Sequence, residues 1–365
     1  MTTVAVTGAG GFTAAALLER LDADRAIDRV IGVDCVEPQM PVAKLDFRVA
    51  DIRDPLLALA LTGADAIVHL AFTSGPLVAT DTMFAINVEG TRNLLAAADA
   101  AGVSRLVHVS SATVYGANVD NVVPLREDQP LRANPDFSWA FHHLLAEELV
   151  TGWAAQHAST TVTVLRPVTT LGPGADTAIS RHLEQPRLPV VRGYLPPVQL
   201  LHVDDLAAAL HLAVTRDLPG AYNVAAQGWL PLDDMAAVMR RGLLTLPESV
   251  AFAAAAQLWR RGAIAAPPAA LRYLMHPWVV STERLQAAGW APTRSNRDIL
   301  REFVADHHRW VSLGRWRVRR RDCYAAGGVV AAGVTSGMLA LLRGRVGRGR
   351  VGRNRRCDED RSCHE

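Results

Sequence analysis

Val6-Thr7-Gly8-Ala9-Gly10-Gly11-Phe12-Thr13-Ala14 decides how this chain folds. The residues before it, Thr3 to Thr7, are short, apolar and β-branched, the pattern of a buried parallel strand. The residues after it, Phe12 to Leu21, place alanines and leucines on one helical face. A glycine-rich turn between strand and helix is the context a dinucleotide phosphate loop requires. Gly8 lets the chain turn sharply out of the strand, and Gly10 and Gly11 let backbone approach a pyrophosphate without a Cβ in the way. The helix start at Phe12 aims free N–H groups at the phosphates. Ala14, at the third glycine position of such loops, is small enough for close packing of helix on strand.

The pattern repeats outward. Strands are predicted at Arg29 to Asp34, Phe47 to Ala50, Ala66 to Ala71, Arg105 to Ser110 and Thr161 to Arg166, with helices at Ile86 to Ala101 and Leu144 to His157. Strands alternating with helices predict an α/β fold, a doubly wound parallel sheet of the Rossmann kind, with right-handed crossovers. After Pro167 the texture changes, and glycines and prolines punctuate the chain. Short strands at Leu188 to Val191 and Gln199 to His202 are expected there, with helices at Asp204 to Thr215, Leu232 to Arg241, Ser249 to Trp259 and Pro267 to Leu274. The expected organisation is one unit over residues 1–312, with a dinucleotide-binding core over about 1–166 and a smaller C-terminal substrate lobe over about 167–312, followed by a tail over 313–365.

The 365 residues are 50% hydrophobic with a formal net charge of +2. That balance hides an asymmetry. The tail from Leu313 carries 13 Arg against 5 acidic residues, a net of +8, so the first 312 residues sum to −6. The Arg-rich tail offers phosphate contacts, but the body shows no recognition element, so no nucleic-acid partner is expected. Cys323 to Leu342 is a run of twenty uncharged residues, long enough to cross a bilayer but mostly Gly, Ala and Val. A membrane-associated helix and a disordered extension both stay open for it. Met1 to Val6 has no basic region of the signal-peptide kind, and four cysteines without paired spacing fit a reducing compartment, so a cytoplasmic protein is expected. Cys357 and Cys363 lack a structural-zinc pattern, and no metal is expected.

Asp34 ends the second predicted strand, where a carboxylate bonds both ribose hydroxyls of NAD and repels the 2′-phosphate of NADP. Asp51-Ile52 follows the third, where a carboxylate and an apolar side chain can hold the adenine amino group and ring.

These residues, with others in the same order, resemble the extended short-chain dehydrogenase/reductase family, the NAD-dependent epimerases and dehydratases. The resemblance runs over roughly residues 3 to 310. It is carried by TGAGGFTA at Thr7 to Ala14, VADIRD around Asp51, HLAF at His69 to Phe72, NVEGT from Asn87, VSSATVYG at Val109 to Gly116, LRPVTTLGPG around Arg166 and Pro167, and HVDDLA from His202. It implies NAD as cofactor, with Gly8, Gly10, Gly11, Phe12, Asp34, Asp51, Ile52, Leu70, Ala71, Phe72, Asn87, Arg166 and Pro167 as its binding residues. It implies a small-molecule substrate of the nucleotide-sugar kind. It also implies a homodimer through the helices at Asn87 to Ala101 and Phe141 to His157.

The family's hydride chemistry uses a tyrosinate whose pKa is lowered by a lysine four residues later, with a Ser or Thr orienting the substrate oxygen. Ser111 stands in the Ser/Thr position. Registered on LLAEEL, however, the tyrosine position holds Trp139 and the lysine position His143. An indole N–H is a donor only and cannot take up the proton, whereas an imidazole titrates in a useful range. Ser111 and His143 are therefore the catalytic candidates. The clamp arginine four residues before His202 is also missing, its place taken by Val198, with Arg192, Arg181, His182 and Arg187 as substitutes. Three readings follow: an NAD-dependent enzyme with altered acid/base residues, a catalytically silent NAD-binding sensor or scaffold, and a membrane-tethered dehydrogenase of the hydroxysteroid kind.

Overall fold

In the computed structural model, residues 2–73, 80–264, 266–313 and 316–319 are described. Seven parallel strands form the central sheet: β1 (Thr2–Thr7), β2 (Ile27–Asp34), β3 (Leu45–Val49), β4 (Ala66–His69), β5 (Arg105–Val109), β6 (Thr161–Pro167) and β7 (Gly220–Val224). Their order across the sheet is β7-β6-β5-β4-β1-β2-β3. The chain thus winds outward from β1 in one direction, returns, and winds outward from β4 in the other. The carboxyl ends of β1 and β4 lie at that switch point, where open α/β sheets carry their ligand crevice.

The strands read as continuous apolar runs because both faces are covered. On one face α1 (Phe12–Ala23) packs beside a helix reached much later in the chain, α4 (Val203–Thr215), around Leu17, Leu18, Leu21, Leu206 and Leu210. His211 of α4 bonds Asp24 at 2.7 Å. On the other face, α2 (Gly90–Ala101) and α3 (Ser138–Ala154) contribute Leu94, Leu95, Ala98 and Val150 to a second core with Ile31, Ile67 and Leu106.

Several elements depart from the sequence expectation. β4 stops at His69; the Leu70 N–H still bonds the Thr7 carbonyl at 3.1 Å, and Ala71 lies beyond the ladder. The helix expected at Ile86 begins earlier, with an α turn over Thr80–Phe84 and a wider π turn over Ala85–Glu89 before α2 takes over. α3 starts at Ser138 instead of Leu144; its opening Ser-Trp-Ala-Phe-His-His is rich in weak helix formers, which masked it. The strands Gly220–Val224 and Gly242–Leu246 were not foreseen, and the Pro268–Leu274 segment is 3-10 rather than α. Because α4 and β7 return to the central layers, the later half of the chain is not all lobe. The lobe proper centres on Leu183, Leu188, Met235, Met239 and Phe303.

Met1–Arg317 form one compact unit, apart from Val318–Glu365. The body runs past 312 because Ser312 and Arg317 both bond the buried Glu184 carboxylate, Arg317 at 2.7 Å. The apolar run 323–342 and Cys323, Cys357 and Cys363 lie outside the described residues. Among the described residues no helix is long and apolar enough to cross a membrane, and no cluster of metal-ligating side chains occurs.

Candidate functional site

β1 delivers the glycine loop to the switch point. Gly8 has φ +74°, and a Cβ there would lie 2.7 Å from the Ala71 backbone nitrogen. Its N–H bonds the Val33 carbonyl at 2.9 Å. Only glycine fits this turn, because the left-handed backbone and the close pass of the chain after β4 coincide. A Cβ on Gly10 would strike the Val36 carbonyl. Gly11 caps α1 without a side-chain partner, so the first N–H groups of that helix have no side-chain acceptor. They are free for an anion, the condition for phosphate binding at a helix N-terminus. Phe12 opens α1, its ring near Gly172 of the later loop.

The loop borders a cleft of about 280 Å³. Gly8, Gly11, Asp34, Asp51, Ile52, Leu70, Ala71 and Phe72 all line it, so residues 64 positions apart meet here. Asp34 accepts from the Gly10 N–H at 2.9 Å and the Val36 N–H at 3.2 Å. Those bonds pin its carboxylate at the cleft edge. Asp51 is gripped by Arg53 through both carboxylate oxygens, at 2.9 and 2.6 Å. The Arg53 hydrogen bonds hold the Asp51 carboxyl below the usual carboxylate range. The Ile52 carbonyl takes a bond from Asn93 at 2.9 Å, which fixes the loop beneath.

Sequence reading missed Cys35 and Thr73, which also line the cleft. Cys35 is exposed beside Asp34 and Asp51, and burial of the sulfur together with those charges raises its thiol pKa. Its only sequence signal was its place directly after Asp34. Asn87 is fully buried and does not line the cleft; it clips Thr73, accepting from its N–H at 2.8 Å and donating to its carbonyl at 2.9 Å. The role this geometry gives Asn87 is to position the wall.

The opposite end is built from rings. Trp139 and His143 lie one turn apart at the start of α3. His143 is buried and stacks face to face on Phe72, with centroids 3.8 Å apart and planes 8° apart. Trp139 meets His143 edge-on at 4.5 Å and Phe72 at 5.3 Å. Among the described residues neither ring nitrogen of His143 has a hydrogen-bond partner. Burial first, and then the neighbouring His108, His142 and His69, push its pKa well below the ordinary imidazole value. His108 beneath it is also unpartnered, and burial lowers it to about 4. His69 differs: its two nitrogens engage Thr7 at 2.8 Å and Thr91 at 3.0 Å.

Ser111 ends the turn after β5, and its Oγ accepts from the Thr113 hydroxyl at 2.9 Å and the Thr113 N–H at 3.2 Å. Its own proton remains to donate. Tyr273, which no motif singles out, reaches in from the 3-10 segment and donates to the Thr113 carbonyl at 2.9 Å. Burial raises the pKa of this phenol further.

Arg166 and Pro167 end β6 and are both buried, and neither lines the cleft. Arg166 is committed elsewhere. It pairs with Glu147 of α3 at 2.5 Å and donates to the Tyr115 hydroxyl at 2.6 Å and the Glu127 carbonyl at 3.2 Å. Glu147 also accepts from Ser110 at 2.6 Å, and Tyr115 donates to Asn223 at 2.8 Å. Burial pushes the Tyr115 phenol up to about 12. This network ties β5, β6, β7 and α3 together and occupies the Arg166 guanidinium. Among the clamp substitutes, Arg181 is paired with Asp176 at 2.6 Å, and Arg187 and Arg192 are exposed.

A sequence profile described as the NAD dependent epimerase/dehydratase family matches residues 4–225. An uncharacterized protein of Mycobacterium tuberculosis is 32% identical over 253 residues, which are 67% of either chain. A 2-alkyl-3-oxoalkanoate reductase of Stenotrophomonas maltophilia is 31% identical over 223 residues, 60% of this chain and 67% of that protein. Among solved structures, the UDP-glucuronic acid 4-epimerase of Bacillus cereus in complex with NAD superposes with a TM-score of 0.65 at 18% identity, covering 84% of this chain and 99% of that one. That likeness speaks to the fold.

Proposed function

This chain belongs to the NAD-dependent epimerase/dehydratase family, and from that premise we propose that it binds NAD in the cleft without tyrosinate-driven turnover. The residues present fit the cofactor. A Cβ at Gly8 would fill the space beside Ala71, the uncapped start of α1 faces the same space, and the Asp34 carboxylate is held at its rim. The loop and helix start would bind the pyrophosphate, Asp34 the adenosine ribose hydroxyls, and Asp51 and Ile52 the adenine. Bound NAD would supply a hydride acceptor.

The chain's own contribution to proton transfer is what is missing. Trp139 does not titrate. His143 is held neutral by burial, and its nitrogens are enclosed rather than presented to the cleft. That enclosed imidazole is the observation on which the reading rests. Ser111 can still donate a hydrogen bond to a substrate oxygen, but a donor alone takes no proton from a substrate hydroxyl as its carbon gives up a hydride.

The second reading is hydride exchange on a small hydroxyl compound of the nucleotide-sugar kind, with altered acid/base residues. Ser111 at the end of β5 and the epimerase-like fold favour it. Incubation of the purified chain with NAD and pooled hydroxyl compounds, followed by NADH fluorescence and by chromatography of the hydroxyl compounds, separates the two, because an exchange that returns its hydride changes only the substrate. We expect NAD binding by calorimetry, no NADH and no converted compound. NADH formation or conversion that Ser111→Ala abolishes would establish the second reading instead.

A further inference from the structure

We infer that the cleft recognises its ligand through adenosine and pyrophosphate alone, so that ADP-ribosyl compounds in general bind as tightly as NAD. This inference rests on the reading of the cleft as an NAD site.

Phe72 is the boundary. It lines the cleft on one side, and its ring face is given to His143 on the other. Centroids 3.8 Å apart with nearly parallel planes are in van der Waals contact, and nothing fits between them. Trp139 closes the stack from its edge. The polar atoms behind this wall do not reach the cleft. Both His143 nitrogens are buried, and His142 faces Asn87 at 3.4 Å, whose amide is already spent on Thr73. A nicotinamide needs partners for its carboxamide and its ribose hydroxyls. Among the described residues the stacked rings offer carbon and enclosed nitrogen, and the Thr73 backbone beside them is spent on Asn87; a polar ligand group left without partners gains nothing by entering.

The adenosine side is the opposite. Gly8, Gly11, Asp34, Asp51 and Ile52 border one open volume, and they present backbone approach, a helix start and two carboxylates. The carboxylate of Asp34 would still exclude a 2′-phosphate, so the class is ADP-linked rather than any adenine nucleotide.

The test is calorimetric titration of the full chain with NAD and with ADP-ribose. We expect dissociation constants within about threefold of each other. NAD binding at least about tenfold tighter than ADP-ribose would overturn the inference and leave the NAD site standing. Binding of neither would overturn both. Phe72→Ala supplies the second arm. Opening the wall should shift the NAD to ADP-ribose affinity ratio about tenfold toward NAD. A ratio unchanged in a folded variant would remove the wall as the cause.

Discussion

The two ends of the cleft were made by different means. At the adenosine end the chemistry lies in the backbone: a left-handed glycine, an uncapped helix start, and a carboxylate pinned by N–H groups from its own loop. At the other end it lies in side chains, and those side chains pair with one another: Phe72 with His143, Trp139 with both, and Glu147 with Arg166 behind them. A backbone-built site survives almost any exchange of its neighbours that keeps the strand ends in place. A side-chain-built site is rewritten by two substitutions. On the function proposed for this chain, the fold keeps a cofactor cleft while packing takes the place of proton-transfer groups.

The largest effect that sharpens this contrast is structural. Arg166→Leu leaves Glu147 buried at 2% exposure without its cation. Breaking such a pair costs about 3–5 kcal/mol. Urea denaturation should show that loss, while NAD affinity of the folded variant stays at the parent value. A large fall in affinity with little change in stability would return Arg166 to the cofactor site and erase the division between the two ends.

The buried histidines come next. His108 is lowered to about 4, and His143 and His69 fall well below the ordinary value, each chiefly by burial. A histidine whose folded pKa is depressed takes its proton in the unfolded chain first. Its contribution to stability is whole above about pH 6.5 and is lost as pH falls toward the folded value. For His108 alone the loss is about 3 kcal/mol by pH 4. Urea midpoints measured from pH 7 down to pH 4 should fall steeply, and less steeply in His108→Leu. A flat profile would mean that the ring end is hydrated, and the case for a sealed wall would fail with it.

Much of this was legible in the sequence, and the division between the two ends explains which part. The glycine loop and the place of Asp34 at the end of β2 could be read because each is a local pattern on one element. The stack of Phe72 on His143 could not, because it joins the end of β4 to α3 across 71 positions and leaves no periodic trace. Tyr273 was invisible for the same reason: it enters from a 3-10 segment outside every motif, and the Thr113 carbonyl and the Phe137 ring that it touches lie more than 130 positions away. The strand Gly220–Val224 is only five residues long and begins on a glycine, and α3 hid its first six residues among aromatic and histidine side chains.

Gly8→Ala probes the backbone end directly. The left-handed conformation costs an alanine about 1–2 kcal/mol. Its Cβ would also press on main chain at Ala71, which has no rotamer to give way. NAD affinity should drop at least about tenfold in calorimetric titration. Full affinity would show that the loop does not set the cleft's shape.

The smallest effect divides recognition from architecture within the adenosine end. Asp34→Asn keeps the side chain's shape and one acceptor oxygen for the Gly10 N–H but loses the bond to the Val36 N–H, so the loop should hold and stability should fall by about one hydrogen bond, ~1 kcal/mol. What changes is the charge. A carboxylate accepts from both ribose hydroxyls of NAD and repels a 2′-phosphate, whereas an amide does neither as well. NAD affinity should fall about tenfold and the preference for NAD over NADP should shrink by a similar factor. Paired titrations with the two cofactors measure both. If affinity falls while the preference stays, Asp34 serves the loop rather than the ligand, and discrimination must come from the Asp51–Arg53 pair across the cleft. If neither moves, the ribose does not lie against β2 at all, and the adenosine end would be open in the same sense that the ring end is closed.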